Sequence, residues 1–306
     1  MNRTLIYRKT KSSFIDVLEK NLANKCLAKN SEKFVIERGQ RMAVYANEFI
    51  GADIYTNGIL ERENITDLLL VLETIGIDLK ESMALDIGAN IGNHTIEFAK
   101  FFGHVEAYEP NPHTYKLLDF NCSYRENINC HNFGCGDKDE SLTLYEHPFN
   151  NGASSTHRED LNKNYNKLEI KISRIDSFLN QFRNVKLIKI DVESMEHQVI
   201  LGAVNTIIKH KPVIAFEQNV KEFTEPYNET KTIDFLRTLG YEMFWLKNQT
   251  TQIPWIFRRI KNIYQLFFGY IQKREIISNN KVPPGSHNMI FAVHKDNLKD
   301  IEEQNI

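Results

Sequence analysis

Leu85-Asp86-Ile87-Gly88-Ala89-Asn90-Ile91-Gly92-Asn93-His94-Thr95 marks a handover from the apolar run Met83 to Ile87 to a helical stretch starting near Asn93. Gly88 and Gly92 let the backbone turn sharply and come close to a ligand. The N-terminus of the following helix offers free N–H groups and a positive dipole end, suited to a carboxylate or phosphate. Asp86, at the strand end, can accept from an ammonium or an amide. The next strand-like run, His104 to Tyr108, leads into Glu109-Pro110-Asn111-Pro112. In a doubly wound sheet Glu109 lies beside the first glycine turn, across the switch point of strand order. A carboxylate there can accept from both hydroxyls of a ribose. The combination points to a nucleoside-containing ligand; the glycines alone would equally fit an ordinary tight turn with a surface glutamate.

Outward from this stretch, strand-like and helix-like segments alternate. Further strands are expected at Asn129 to Gly134, Val185 to Ile190, Pro212 to Phe216, Tyr241 to Trp245 and Asn288 to Val293. Helices are expected at Thr114 to Arg125, Met195 to His210 and Thr230 to Leu239. Such alternation favours an α/β fold with a parallel sheet covered on both faces. Ser141 to Tyr145 and Leu168 to Ile172 read as two extra strands around a polar loop, making 141–172 a hairpin or lid. Residues 1–80 read as a mixed cap segment, with helices around Phe14 to Leu27 and Asn64 to Ile75, before a main domain over 81–298.

Dinucleotide folds expect GxGxxG, whose second glycine admits the pyrophosphate. Here Asn90 takes that place, which disfavours NAD or FAD, and no GxxxxGK[ST] phosphate loop occurs. Lys+Arg 38 against Asp+Glu 40 leaves a net charge of −2, with a pI near 6.6. That balance argues against a general nucleic-acid binder. Cys26, Cys122, Cys130 and Cys135 form no CxxC pair and no common zinc spacing, and read as reduced structural residues. The stretch Met1 to Lys9 has no apolar core and no long apolar run follows, so neither a secretory signal nor a membrane span is expected, and a cytoplasmic protein is.

With Gly136-Asp137, Ile188-Lys189-Ile190-Asp191-Val192-Glu193 and Asn288-Met289-Ile290-Phe291, the glycine turn and the Glu109-Pro110-Asn111-Pro112 segment resemble the FkbM family of S-adenosylmethionine-dependent methyltransferases. The resemblance runs in order from about residue 41 to residue 294. Tyr45 to Glu61 and Asn151 to Ser155 are less specific family features. It implies a Rossmann-like class I methyltransferase fold, a seven-stranded mostly parallel sheet whose last strand is antiparallel. It also implies that Asp86, Gly88, Ala89, Asn90, Gly92 and Asn93 surround the methionine part of S-adenosylmethionine, and that Glu109 holds its ribose. Asn111 would lie near the adenosine, and Gly134 to Asp137, including Cys135 and Gly136, would line the adenine pocket. The acceptor implied is a hydroxyl of a sugar, glycan or small molecule.

Methyl transfer to a hydroxyl gains from alignment and from a general base, the latter worth about 10²–10⁴-fold. Candidates lie at the carboxyl ends of the strands. Asp191 is the first choice for base or orienting acceptor, then Glu193, then His197. Asp191 would otherwise cap the following helix. Asp191, Glu217 and Asn219 offer hard oxygen ligands for a magnesium ion, though no metal is required by their spacing. The family usually has glycine after Asp-Val-Glu. Ser194 stands there instead, which leaves the backbone path and the pocket wall open.

Thr251 to Lys281 carries six basic residues against Glu275, a net +5, with aromatic and apolar residues at roughly helical spacing. A basic amphipathic helix of this kind can lie on an anionic membrane surface. Packing on the body or on a second subunit is the alternative, and the oligomeric state is open. NAD-dependent oxidation and a non-catalytic nucleotide-binding module are the other functional classes compatible with the turn.

Overall fold

Strands such as Met83–Ile87 (β1), with every residue buried, form where apolar runs have no polar alternation; such strands belong in parallel sheets covered on both faces. The computed structural model describes residues 13–45, 48–146, 165–192, 194–224, 227–250 and 272–298 (backbone only for 248–250 and 272–273). Glu193, residues 147–164 and residues 251–271 lie outside the described residues, and with them the family-like Asn151 to Ser155.

The chain divides into two compact units, Met1–Leu60 and Glu61–Ile306. The first holds α1 (Phe14–Arg38) and α2 (Phe49–Asn57). Ser13 caps α1 through a reciprocal pair with Asp16, and Gly39, at φ 78°, ends it. The helix therefore runs well past the expected end at Leu27.

The second unit begins with α3 (Arg62–Thr74), followed by β1, α4 (Asn93–Phe98), β2 (His104–Tyr108), α5 (Pro112–Cys122) and β3 (Ile128–His131). Then come β4 (Gly134–Cys135), β5 (Glu140–Glu146), β6 (Asn166–Ser173), β7 (Val185–Ile190), α6 (Glu196–Gly202) and α7 (Val204–His210). β8 (Val213–Gln218), α8 (Lys231–Thr238), β9 (Tyr241–Thr250), β10 (Gln272–Ser278) and β11 (His287–His294) complete it. The main sheet has the order β10-β9-β11-β8-β7-β1-β2-β3. β11 is antiparallel to both neighbours, while β3, β2, β1, β7 and β8 are parallel. The chain leaves β1 outward through β2 and β3 and returns to β7 on its other side, so the switch point lies between β1 and β7.

Four expectations need correction. The sheet has eight strands, because β10 adds an antiparallel edge to β9. Residues 272–278 are thus a strand, not part of a basic helix. Ile277 packs on the core, and Arg274 reaches Glu63 at 2.5 Å and Asp67 at 2.6 Å, both on α3. That residue's charge is neutralised rather than presented to a surface. The helix expected over 195–210 is two, because Gly202 passes so close to Gly136 that a Cβ would lie 1.8 Å from its carbonyl oxygen. The third strand is split, with β4 leaving the main sheet to join β6 and β5 in a three-stranded one. Among the described residues no helix is long and apolar enough to cross a membrane.

Candidate active site

The register of the parallel strands sets the site. Ile87 pairs with Tyr108 on one side and Ile190 on the other, and Ile190 pairs with Phe216. The next residue on each strand is therefore level with the others, which lines up Gly88, Glu109, Asp191 and Glu217 at the carboxyl edge. β11 starts at the same edge, and the register shift between His287 and Ile290 leaves Asn288 and Met289 facing it.

The glycine turn is folded against these neighbours. Gly88 has φ 76°, and a Cβ there would lie 1.9 Å from the carbonyl oxygen of Asp191, so no other residue fits without moving the chain. Asn90 adopts φ 50°, a left-handed conformation that asparagine tolerates better than most residues. Its N–H donates to Oε2 of Glu109 at 3.0 Å, and the Asn111 N–H donates to Oε1 at 2.9 Å. Glu109 is buried, and burial pushes its carboxyl up to about 7 despite those two backbone hydrogen bonds. The carboxylate is thereby held in one orientation beside the turn, with acceptor capacity left for a ligand's hydroxyls.

Asn111 caps α5, accepting from the His113 N–H at 2.9 Å and donating to Glu146 at 3.1 Å. Gly134 sits against Pro110, and Asn132 donates to the Glu109 carbonyl at 2.9 Å, so the Gly134–Asp137 turn abuts the Glu109 segment. Cys135 is buried, which pushes its thiol well up.

Asp86 is wholly buried; Thr95 Oγ1 donates to its Oδ2 at 2.6 Å, and Lys189 Nζ lies 3.3 Å from its Oδ1. Lys189 stands opposite Asp86 in the register and also reaches Asp191 at 3.3 Å and the Gly88 carbonyl at 3.2 Å. Burial alone would discharge this ammonium, but the two flanking carboxylates outweigh it and hold Lys189 above the usual lysine range. Asp191 keeps an exposed flank (side chain 43% accessible), and against the effect of burial Lys189 and His94 hold its carboxyl low. That makes it a weak base and a good fixed acceptor. It does not cap α6, whose N-cap is Met195. Lys189 is the residue sequence reasoning missed. Its signal was a lone charge deep in an apolar strand, two residues from Asp191 and hence on the same face.

His197 is set apart. Its ring packs edge-on to Phe235 of α8 at 6.1 Å, and the charges acting on it are Lys231 and Asp137. Ser194 adopts φ 71°, a left-handed conformation that glycine takes without steric cost. Asn219 spends its side chain capping the turn Val220–Glu222. Among the described residues no three His, Cys, Asp or Glu side chains gather to hold a metal ion. Glu61, Lys189, Asp191, Glu217, Asn288 and Met289 line a small cavity of about 20 Å³ at the carboxyl edge.

Among known proteins, a fungal protein named Methyltransferase 1, from Beauveria bassiana, is 27% identical over 145 residues, spanning 40% of this chain. This chain covers 58% of that relative's length. A crystal structure of a methyltransferase FkbM from Methylobacillus flagellatus superposes with a TM-score of 0.36 at 17% identity, over 70% of this chain and 54% of that one. An S-adenosylmethionine-dependent O-methyltransferase from Thermotoga maritima gives 0.37 at 13% identity, over 85% and 69%. Those superpositions carry no weight beyond the topology already described. The sequence model of the Methyltransferase FkbM domain matches residues 86–243, more than half of the 306 residues. That span holds the glycine turn, Glu109, Lys189 and Asp191, and the chain belongs to the FkbM methyltransferase family.

Proposed function

We propose that this protein transfers a methyl group from S-adenosylmethionine to a hydroxyl oxygen of a sugar, glycan or small-molecule acceptor. The observation that carries the reading is Glu109, a buried carboxylate fixed by the Asn90 and Asn111 N–H groups beside the Gly88 turn. Its remaining lone pairs suit the two ribose hydroxyls. When bound, the cofactor supplies an electrophilic methyl group on a sulfonium. Lys189 holds the Gly88 carbonyl and the Asp191 carboxylate in place, so the turn and the acceptor edge keep a fixed separation. Asp191 offers its exposed oxygen to a substrate hydroxyl or to the cofactor's ammonium. Fixed geometry of this kind supplies much of the rate in an in-line displacement.

Calorimetric titration with S-adenosylhomocysteine, with NAD as control, tests the cofactor. Binding of the former alone supports the reading, and binding of NAD alone overturns it. Incubation of the protein with methyl-labelled cofactor and a cell extract rich in glycans and metabolites then tests the transfer.

A further inference from the structure

The amino edge of the main sheet, where β9 begins and β11 ends, holds a cleft that the methyl-transfer site does not use. Tyr241 pairs with His294 there. β11 runs to it from the carboxyl edge over eight residues, so at about 3.3 Å each the cleft lies at least about 20 Å from that edge. Its volume is about 840 Å³, within the range of small-molecule sites. Arg237, Glu242, Asn279, Asn280, Lys281 and Lys295 are among the residues lining it, and every lining side chain ends in a polar group. Such a wall suits a hydrated, hydroxyl-bearing ligand and not an apolar one.

The charges are set out in a particular way. Arg237 donates through Nη2 to Oε1 of Glu229 at 3.1 Å and through Nε to Oε2, so a buried carboxylate already answers its charge. The same Glu229 accepts from the Val282 N–H, and Lys281 Nζ donates to Oδ1 of Asn228. The segment carrying Asn279, Asn280 and Lys281 is thereby tied down at its end. Lys295 is fixed from another side, its N–H donating to the Gly240 carbonyl at 3.0 Å. Neither the Lys281 nor the Lys295 ammonium has a carboxylate partner among the described residues, and Glu242 has no cationic one. Two cations and one carboxylate therefore line one cleft without pairing, which leaves all three to a ligand.

Two ammoniums on separate segments suit a dianion with several acceptor oxygens, which lysine binds as a point charge. Glu242 would repel a bare anion but accepts from hydroxyls. The Asn279 and Asn280 amides can both donate to and accept from hydroxyls. We infer that this cleft binds a phosphorylated sugar, with Lys281 and Lys295 on the phosphate and Glu242, Asn279 and Asn280 on the hydroxyls. The inference does not depend on the methyl-transfer reading, because no residue is shared between the two sites.

The test titrates the isotope-labelled full chain with glucose 6-phosphate, glucose and inorganic phosphate, following backbone amide resonances, with calorimetry for affinity. Glucose 6-phosphate is expected to shift Asn279, Asn280, Lys281 and Lys295 and to leave Gly88 and Asn90 in place. It should bind about tenfold or more tightly than either glucose or phosphate, the worth of hydrogen bonds to charged groups. Lys281→Gln with Lys295→Gln, both at exposed positions, should lose that tenfold with the melting temperature unchanged. Glu242→Gln should weaken glucose 6-phosphate and not inorganic phosphate. No shift at the cleft, shifts at Gly88 instead, or an unchanged affinity in the double lysine variant would each overturn the site. Phosphate binding as tightly as glucose 6-phosphate, or Glu242→Gln strengthening both, would overturn the sugar. S-adenosylhomocysteine serves as the separate probe of the Gly88 turn, so its failure to bind would count against methyl transfer alone.

Discussion

Replacing Lys189 by methionine removes the one cation that Asp86 and Asp191 share, while nearly keeping its volume. Each pair is 3.3 Å long, worth about 5 kcal/mol of attraction at an effective dielectric constant of about 20. Solvent screens the Asp191 pair, whose carboxylate is 43% accessible, and desolvation of the buried Lys189 and Asp86 cancels much of the other; the net cost of stranding Asp86 is expected at about 3–5 kcal/mol. At roughly 2 °C per kcal/mol for a unit of this size, the melting temperature should fall by about 6–10 °C. The Gly88 carbonyl also loses its 3.2 Å donor, so S-adenosylhomocysteine should bind more weakly. The pH dependence carries a definite sign. Lys189 has its folded value raised, so its contribution is complete below about pH 10.4 and is lost only in more alkaline solution. Asp191 has its folded value lowered, so its contribution holds above about pH 3.9 and fades only in stronger acid. The wild-type cluster therefore adds no slope between pH 5 and 8. In the variant, Asp86 becomes a buried unpaired carboxyl with a raised value, and its penalty shrinks as acid neutralises it. The gap between variant and wild type, followed by thermal and urea unfolding, should narrow from pH 8 to pH 5. Asp86→Asn in the variant background should recover part of the loss. A gap under 1 kcal/mol at pH 7.5, or one that does not narrow on acidification, would refute the triad as a structural unit.

Three further outcomes follow from the same geometry. Glu109, held up near 7 by burial, contributes stability that is complete below its unfolded value and lost as pH rises through about 7, a change on the order of 3 kcal/mol; unfolding of the free protein should show it, and Glu109→Gln should flatten it while weakening S-adenosylhomocysteine. Gly88→Ala puts a Cβ 1.9 Å from the Asp191 carbonyl, so binding should fall at least about 100-fold by calorimetry, and an intact affinity would show that the turn relaxes freely. Ser194→Gly relieves φ 71° at an exposed position and should stabilise the protein by about 0.5–1 kcal/mol after the entropy of the unfolded chain is counted; a loss on urea unfolding would mean the serine side chain makes a compensating contact.

Much of the site was legible along the chain. Strands at 83–87, 104–108 and 185–190 stand where the apolar runs end in turn residues, and Glu109 falls beside the glycine turn because strand order places it there. Helix lengths were less legible. The break at Ala203 comes from the close pass of Gly202 over Gly136, a contact between segments 66 positions apart. The strand at 272–278 escaped because its partner for Arg274 lies on α3, where no local pattern reveals it.

By itself, then, the sequence determined the alternation, the sharp turn and the position of the Glu109 carboxylate, since periodicity and backbone conformation are set within a few neighbouring residues. Only the tertiary structure decided which polar groups meet. Asp86, expected at the cofactor, is buried against Lys189; Asp191, expected as base or orienting acceptor, is paired with the same lysine; and folding sets Glu61 and His94 3.5 Å apart. Charge–charge interactions depend on distance and desolvation, and both are properties of residues up to about a hundred positions apart that meet only in the folded chain.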